Sequence, residues 1–143
     1  MPNRREFDHI GNFSFKVEIE GVTAGSFMEV EGLESTTEVA CTTDGDDRIV
    51  RKRPAKTTCS NLLLRRGFKN NDELWNWYKV VLDGHIERKS GSIIICGDDA
   101  SEIMRYNFYE AWPCRWKLSK LSAAENGTLI EEVEVAIEKI ERG

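Results

Sequence analysis

Residues Ser60 to Gly84, SNLLLRRGFKNNDELWNWYKVVLDG, constrain the fold more than any other stretch of the chain. Leu62, Leu63 and Leu64 form an unbroken apolar run, the pattern of a strand covered on both faces, although so short a run also fits a helix. Asn70 and Asn71 can N-cap a helix, and Asp72 and Glu73 put carboxylates in its first turn, where the helix dipole favours them. Leu74, Trp77, Tyr78 and Val81 then recur on one helical face, widened by Trp75 and Leu82, and Gly84 is placed to end the helix. The spacing predicts a helix over 71–83, anchored in the core by Leu74, Trp77, Tyr78 and Val81. No other stretch signals a helix as clearly, so one helix is expected to pack on a body of strands.

The strands read from alternation. Phe13, Phe15, Val17 and Ile19 alternate with Ser14, Lys16, Glu18 and Glu20, which is a strand with one dry face. Gly21 and Gly25 bracket a turn, Met28 and Val30 alternate with Glu29 and Glu31, and Gly32 breaks that second strand. Glu34 to Thr43 is rich in Thr and Val and reads as a third. These three form an antiparallel meander. Past the helix, Ile86 to Ser92 is polar with a turn, and Ile93 to Cys96 is a β-branched central strand. Gly97-Asp98-Asp99-Ala100 turns the chain. Met104, Tyr106, Phe108, Glu110 and Trp112 share one face of the next strand, Phe108 and Trp112 being further core anchors. Pro113 stops the pairing or marks an edge. Leu118 to Asn126 reads as a loop closed by Asn126-Gly127. In the last segment Leu129, Val133, Val135 and Ile137 fit a strand, while Ile130, Val133, Ile137 and Ile140 equally fit a helix; the Val and Ile content favours the strand.

Asp44 to Thr57 stands apart. Asp44, Asp46 and Asp47 surround a glycine, and Arg48, Arg51, Lys52, Arg53 and Lys56 come after them around Ile49, Val50 and Pro54. The segment is too polar for core and long for a connection, and such loops are either solvated or functional. Acid at one end and base at the other suit contacts between identical chains.

A chain of 143 residues with a 40% hydrophobic share reads as a single globular domain, preceded by a polar arm over 1–11. A net charge of -5 argues against a general nucleic-acid binder. No apolar run approaches the roughly 20 residues that span a bilayer, so no membrane insertion is expected. The opening Met1-Pro2-Asn3-Arg4-Arg5-Glu6 has no apolar stretch behind its arginines, so assembly in the cytoplasm is expected. Cys41, Cys59, Cys96 and Cys114 lack metal-ligand spacing and read as reduced structural cysteines. His9 and His85 have no Cys, Asp or His at ligand spacing, and no nucleophile, P-loop or dinucleotide motif is present. Neither an enzyme nor a cofactor is expected. Tyr106, Phe108, Tyr109, Trp112 and Trp116, with Arg105 and Arg115, form either a base-stacking platform or an aromatic core and interface strand; the second reading is preferred.

Three groups of residues carry a family resemblance. RRGFKNNDELWNWYKVVLDG with Glu87-Arg88-Lys89-Ser90-Gly91-Ser92-Ile93 is the first, and Arg105-Tyr106-Asn107-Phe108-Tyr109-Glu110-Ala111-Trp112-Pro113-Cys114-Arg115-Trp116 the second. The start matches too, with Phe15-Lys16-Val17-Glu18-Ile19 and Gly25-Ser26-Phe27-Met28-Glu29-Val30-Glu31-Gly32-Leu33. In order and over about 13–140, these resemble the tube proteins of contractile phage tails and related contractile injection systems.

The resemblance implies a mainly β fold, two antiparallel sheets in a barrel-like sandwich with one short helix at the rim, ending in a long strand. It implies a structural subunit that forms hexameric rings and stacks them into a hollow tube. Partners would be copies of itself, a sheath outside, baseplate and tail-terminator proteins at the ends, and DNA or effector cargo in the lumen. The matching family loop is extended and touches neighbouring subunits, so Asp44 to Lys56 are expected at ring and stacking contacts. If strand faces line the lumen, Glu18, Glu29 and Glu31 would repel DNA. Alternative readings are a small β-barrel module for single-stranded nucleic acid, and a secretion-system tube protein that chaperones effectors.

Overall fold

The computed structural model describes residues 11, 13–22, 27–68, 72–119, 121 and 129–143. The elements, in order, are β1 (Ser14–Ile19), β2 (Glu29–Glu31), β3 (Ser35–Thr42), β4 (Arg51–Cys59), β5 (Leu62–Gly67), α1 (Glu73–Leu82), β6 (Lys89–Cys96), β7 (Glu102–Leu118), β8 (Ile130–Ala136) and β9 (Lys139–Arg142). The predicted arm over 1–11 and the Asn126-Gly127 turn lie outside the described residues, apart from Gly11.

Seven strands are hydrogen-bonded together, six of them along the path β1-β6-β7-β8-β5-β2 and β9 off it, paired to β7; every pairing is antiparallel. β7 is long enough to serve two layers. Its first half pairs with β6 and β9, and its second half, from Trp112, pairs with β8. One layer is therefore β1-β6-β7-β9 and the other β7-β8-β5-β2, so the first three strands are not the meander that their order suggested: β1 pairs with β6, β2 with β5 and β3 with β4. The strands do not close into a barrel: β1 and β2 are the ends of the path and do not pair with each other. An open sandwich is what the strands form.

The core lies between the layers. Val17, Ile19, Ile93 and Phe108 face it from the first, and Leu62, Leu64, Val133 and Val135 from the second. Only one face of β5 is fully dry, because Leu63 is half-buried. Gly91 sits under the Phe108 ring, where an added Cβ would collide with that ring and with the Glu18 carbonyl. β6 begins at Lys89, so most of the expected polar turn is strand. The C-terminal segment is strand throughout, interrupted between β8 and β9 at Ile137 and Glu138.

The predicted inward face of β7 fails at one residue. Glu110 adopts φ 57° in mid-strand, and the alternation changes phase there. Phe108, Ala111 and Pro113 are buried, whereas Glu110 is exposed and Trp112 half-buried. Pro113 does not end the strand. The chain passes through it with a register irregularity before Arg115, and pairs only with β8 along this half. Proline is tolerated there because that edge needs no ladder N–H.

α1 is three residues shorter than the predicted span. Asp72 is its N-cap residue but makes no side-chain cap bond, while Asn70 and Asn71 fall outside the described residues. The C-terminus obeys the expected chemistry. Gly84 has φ 89°, its N–H donates to the Val81 carbonyl (3.0 Å), and the His85 N–H donates to the Val80 carbonyl (3.0 Å), which is a Schellman closure. Leu74 and Trp77 are buried in the core, and Tyr78 and Val81 are half-buried. Trp77 Nε1 donates to the Glu87 carbonyl (2.9 Å), tying the helix to the segment that enters β6.

Candidate assembly surfaces

The basic stretch is not a loop over its whole length. Arg51 to Thr57 belongs to β4, which pairs with β3 as a separate two-stranded hairpin, so the connection proper is 43–50. Alternation could not reveal this strand, because neither of its faces is dry. Asp47 organises the tip: its N–H donates to the Asp44 carbonyl (2.9 Å), its Oδ1 accepts from the Ile49 N–H (3.0 Å), and its Oδ2 pairs with Arg51 Nε (3.0 Å). Asp44, Asp46 and Arg48 are exposed at the tip, and Arg51, Lys52, Arg53 and Lys56 are exposed along β4. Val39 and Ile49, both 60% exposed, and Val50 add uncovered apolar surface. The hairpin touches the body where β4 meets β9, and the Ser60 N–H closes its base onto the Glu34 carbonyl (3.2 Å).

The three glutamates expected on one lumen stripe fall on different layers. Glu18 lies on β1 with Arg105 Nη1 at 3.5 Å, while Glu29 and Glu31 lie on β2 beside Arg65, at 2.8 and 3.7 Å. Each has a cation beside it, so they are not a bare acidic stripe. The polar face of the second layer is a ladder of alternating charge. Arg65 Nε meets Glu132 Oε1 (2.7 Å), and Arg115 Nη2 meets Glu132 Oε2 (2.7 Å). Burial pushes the Glu132 carboxyl up, but hydrogen bonds from Arg65 and then Arg115 outweigh it and hold that carboxyl below its ordinary value. Arg65 is in turn raised, first by Glu132 and then by Glu29.

Sequence reasoning missed a second, buried ion pair. Arg66 and Glu131 stand opposite each other on β5 and β8, both fully buried, with Nε to Oε1 at 2.8 Å. Glu131 Oε2 also accepts from Trp116 Nε1 (2.8 Å), and the Trp116 ring meets Trp75 of α1 edge-on at 4.8 Å. The signal was present: Arg66 comes after Leu62 and Leu64 at a period of two, and Glu131 precedes Val133 and Val135 in the same way. The aromatic strand is thus distributed among packing roles. Phe108 is buried, Trp116 joins α1 to β8, and Tyr106, Tyr109 and Trp112 are half-buried.

Among the described residues no group of His, Cys, Asp and Glu is arranged to hold a metal. A shallow groove on the first layer runs between Glu18, Glu20, Ser90, Ser92, Asn107 and Tyr109. Ser92 Oγ donates there to Asn107 Oδ1 (2.6 Å), and neither histidine nor cysteine lines it. No helix among the described residues is long and apolar enough to cross a membrane.

The model of the T4-like virus tail tube protein gp19 family matches residues 11–141. The chain belongs to that family. It is a tail tube protein, a structural component of a phage tail or a phage-tail-like injection particle. Among solved structures, the fold is similar to a chain of the PVC extracellular contractile injection system sheath-tube complex in the extended state. The TM-score is 0.84 at 22% identity, over 96% of this chain and 93% of that one. A chain of the anti-feeding prophage tube-terminating cap gives a TM-score of 0.86 at 16% identity, over 99% and 95% of the two chains. Hcp1 from Flavobacterium johnsoniae gives 0.55 at 20% identity, over 90% and 94%. No curated protein sequence matches.

Proposed function

We propose that this tail tube protein closes into hexameric rings that stack into a hollow shaft, with a sheath outside and DNA or effector cargo passing through the lumen. Baseplate and terminator proteins would hold its two ends. The observation that carries this reading is the β3–β4 hairpin. Apart from Ala40 and Cys59, every residue of its two strands is exposed, and an isolated two-stranded hairpin is at best marginally stable in water. A subunit keeps such an arm when another chain covers it. Both signs of charge at its tip and its bare Val39, Ile49 and Val50 suit an identical neighbour. Head-to-tail association of this kind closes into rings where the rotation closes and extends into filaments where it does not.

Deletion of Gly45 to Lys56 tests this. The hairpin adds little to the core, so the variant should stay folded by circular dichroism and sediment as a monomer. The unmodified chain should give rings and rods by negative-stain microscopy. Full-length rods from the deletion variant would refute the hairpin's role.

A further inference from the structure

Residues 29–67 form a unit of four strands that strand pairing ties to the rest of the sheet at one place. β2 pairs with β5 and β3 with β4, and the bond from the Ser60 N–H to the Glu34 carbonyl closes the hairpin's base within the same unit. Among the described residues, only β5 pairs outward from it, with β8, from Leu62 opposite Val135 to Gly67 opposite Ile130. The register of that one ladder therefore fixes where the hairpin stands on the molecule.

Most of the ladder does not specify its own register. A slip of one residue turns every side chain to the wrong face, but a slip of two keeps both faces. With β5 moved by two residues toward Ala136, Leu64 would face Val135 in place of Val133, and Arg65 would face Glu134 in place of Glu132. Apolar residues still meet on the dry face, and opposite charges still meet on the polar one. Arg66 and Glu131 alone would be set against apolar partners, Val133 and Phe68. In the native register both are fully buried, with Nε to Oε1 at 2.8 Å. Glu131 Oε2 also accepts from Trp116 Nε1 (2.8 Å), and the Arg66 guanidinium lies 5.9 Å from the centre of the buried Phe27 ring. Parting a buried charge from its partner costs far more than exchanging one apolar contact for another.

We propose that the buried Arg66–Glu131 pair is a positioning device: it selects the β5–β8 register, and through it the place of the hairpin, instead of supplying stability. Buried ion pairs are poor stabilisers beside apolar residues of similar volume, and their best-attested use is to fix register. At about 3.4 Å per residue, a two-residue slip displaces residues 29–67 by about 7 Å along β8. That carries Val39, Ile49 and the charged tip away from the surface they meet on a neighbouring copy. This consequence rests on the ring reading above, whereas the register role does not.

Cysteine trapping reads the register. The background is Cys114→Ser, because Cys114 Sγ lies 3.6 Å from Glu134 Oε2. Leu63→Cys with Glu134→Cys links in the native register, and Leu63→Cys with Ala136→Cys links after the slip. Directly facing residues lie within disulfide reach, and a two-residue displacement takes them out of it. Peptide mass spectrometry identifies each link. With Arg66 and Glu131 in place, only the first pair should link. The charge-free chain, Arg66→Met with Glu131→Leu, should keep the circular dichroism and urea midpoint of the unmodified chain, link through both pairs and give few or irregular rings. Glu131→Val with Val133→Glu moves the carboxylate two residues along β8, and should shift linking from the first pair to the second. A charge-free chain that no longer folds overturns the proposal, since the pair would then be holding the fold. Folded chains of both kinds that link only through the first pair overturn it too. Trapping that follows the expected pattern in a chain that never forms rings upholds the register role and removes the ring reading.

Discussion

Replacing Trp77 by alanine removes the largest side chain with which α1 enters the core. The indole is 3% exposed and sits in the cluster that includes Leu74, Phe108 and Val133. Truncating a buried large aromatic costs about 3–5 kcal/mol in lost burial and residual cavity. A further contribution of about 1 kcal/mol comes from the Nε1 bond to the Glu87 carbonyl at 2.9 Å, which alanine cannot make. Trp77→Phe separates the two. It keeps most of the ring and loses the donor, so its cost should be about 1–2 kcal/mol. Urea unfolding of the monomer, monitored by far-ultraviolet circular dichroism, reads both values. An alanine variant within about 1 kcal/mol of the unmodified chain would refute the helix orientation. A phenylalanine variant as damaging as alanine would show that the Glu87 bond, not burial, holds the helix.

Gly91→Ala should destabilise by about 1–3 kcal/mol, the usual cost of overpacking, because its methyl group meets the Phe108 ring and the Glu18 carbonyl; thermal unfolding reads it. Glu131→Ala should cost on the order of 3 kcal/mol, since it removes the carboxylate beside the buried Arg66, and should also free Trp116, changing its near-ultraviolet signal. The Glu132 carboxyl is held below its ordinary 4.5 in the folded chain, so its contribution is complete above that value and is lost as pH falls beneath it. Urea midpoints between neutral and acid pH should therefore fall less steeply below that value for Glu132→Gln than for the unmodified chain.

How far the sequence exposed this fold depends on whether neighbours along the chain or across it decide each element. The strand of Val17 and Ile19 and the glycine stop of α1 are local, set by alternation and by left-handed backbone, and both were readable. The phase change at Glu110 was not, because a glutamate gives no sign that it will adopt positive φ. β4 was hidden for a different reason: with both faces wet it has no apolar period, and only pairing with β3 makes it a strand. Arg65 and Arg66 look alike in sequence yet face opposite sides of β5, one toward the charge ladder and one into the core. That Glu18 and Glu29 lie on different layers was hidden as well, because the strand order is set by long-range pairing.

The central claim is that this chain spends its free surface on copies of itself. Negative-stain microscopy of the purified protein over rising concentration, with its mass measured in solution, tests that most directly. The account predicts annuli of uniform diameter, with a mass of six chains, that stack into rods. A single 16.4 kDa species at every concentration, with or without sheath protein, would contradict it.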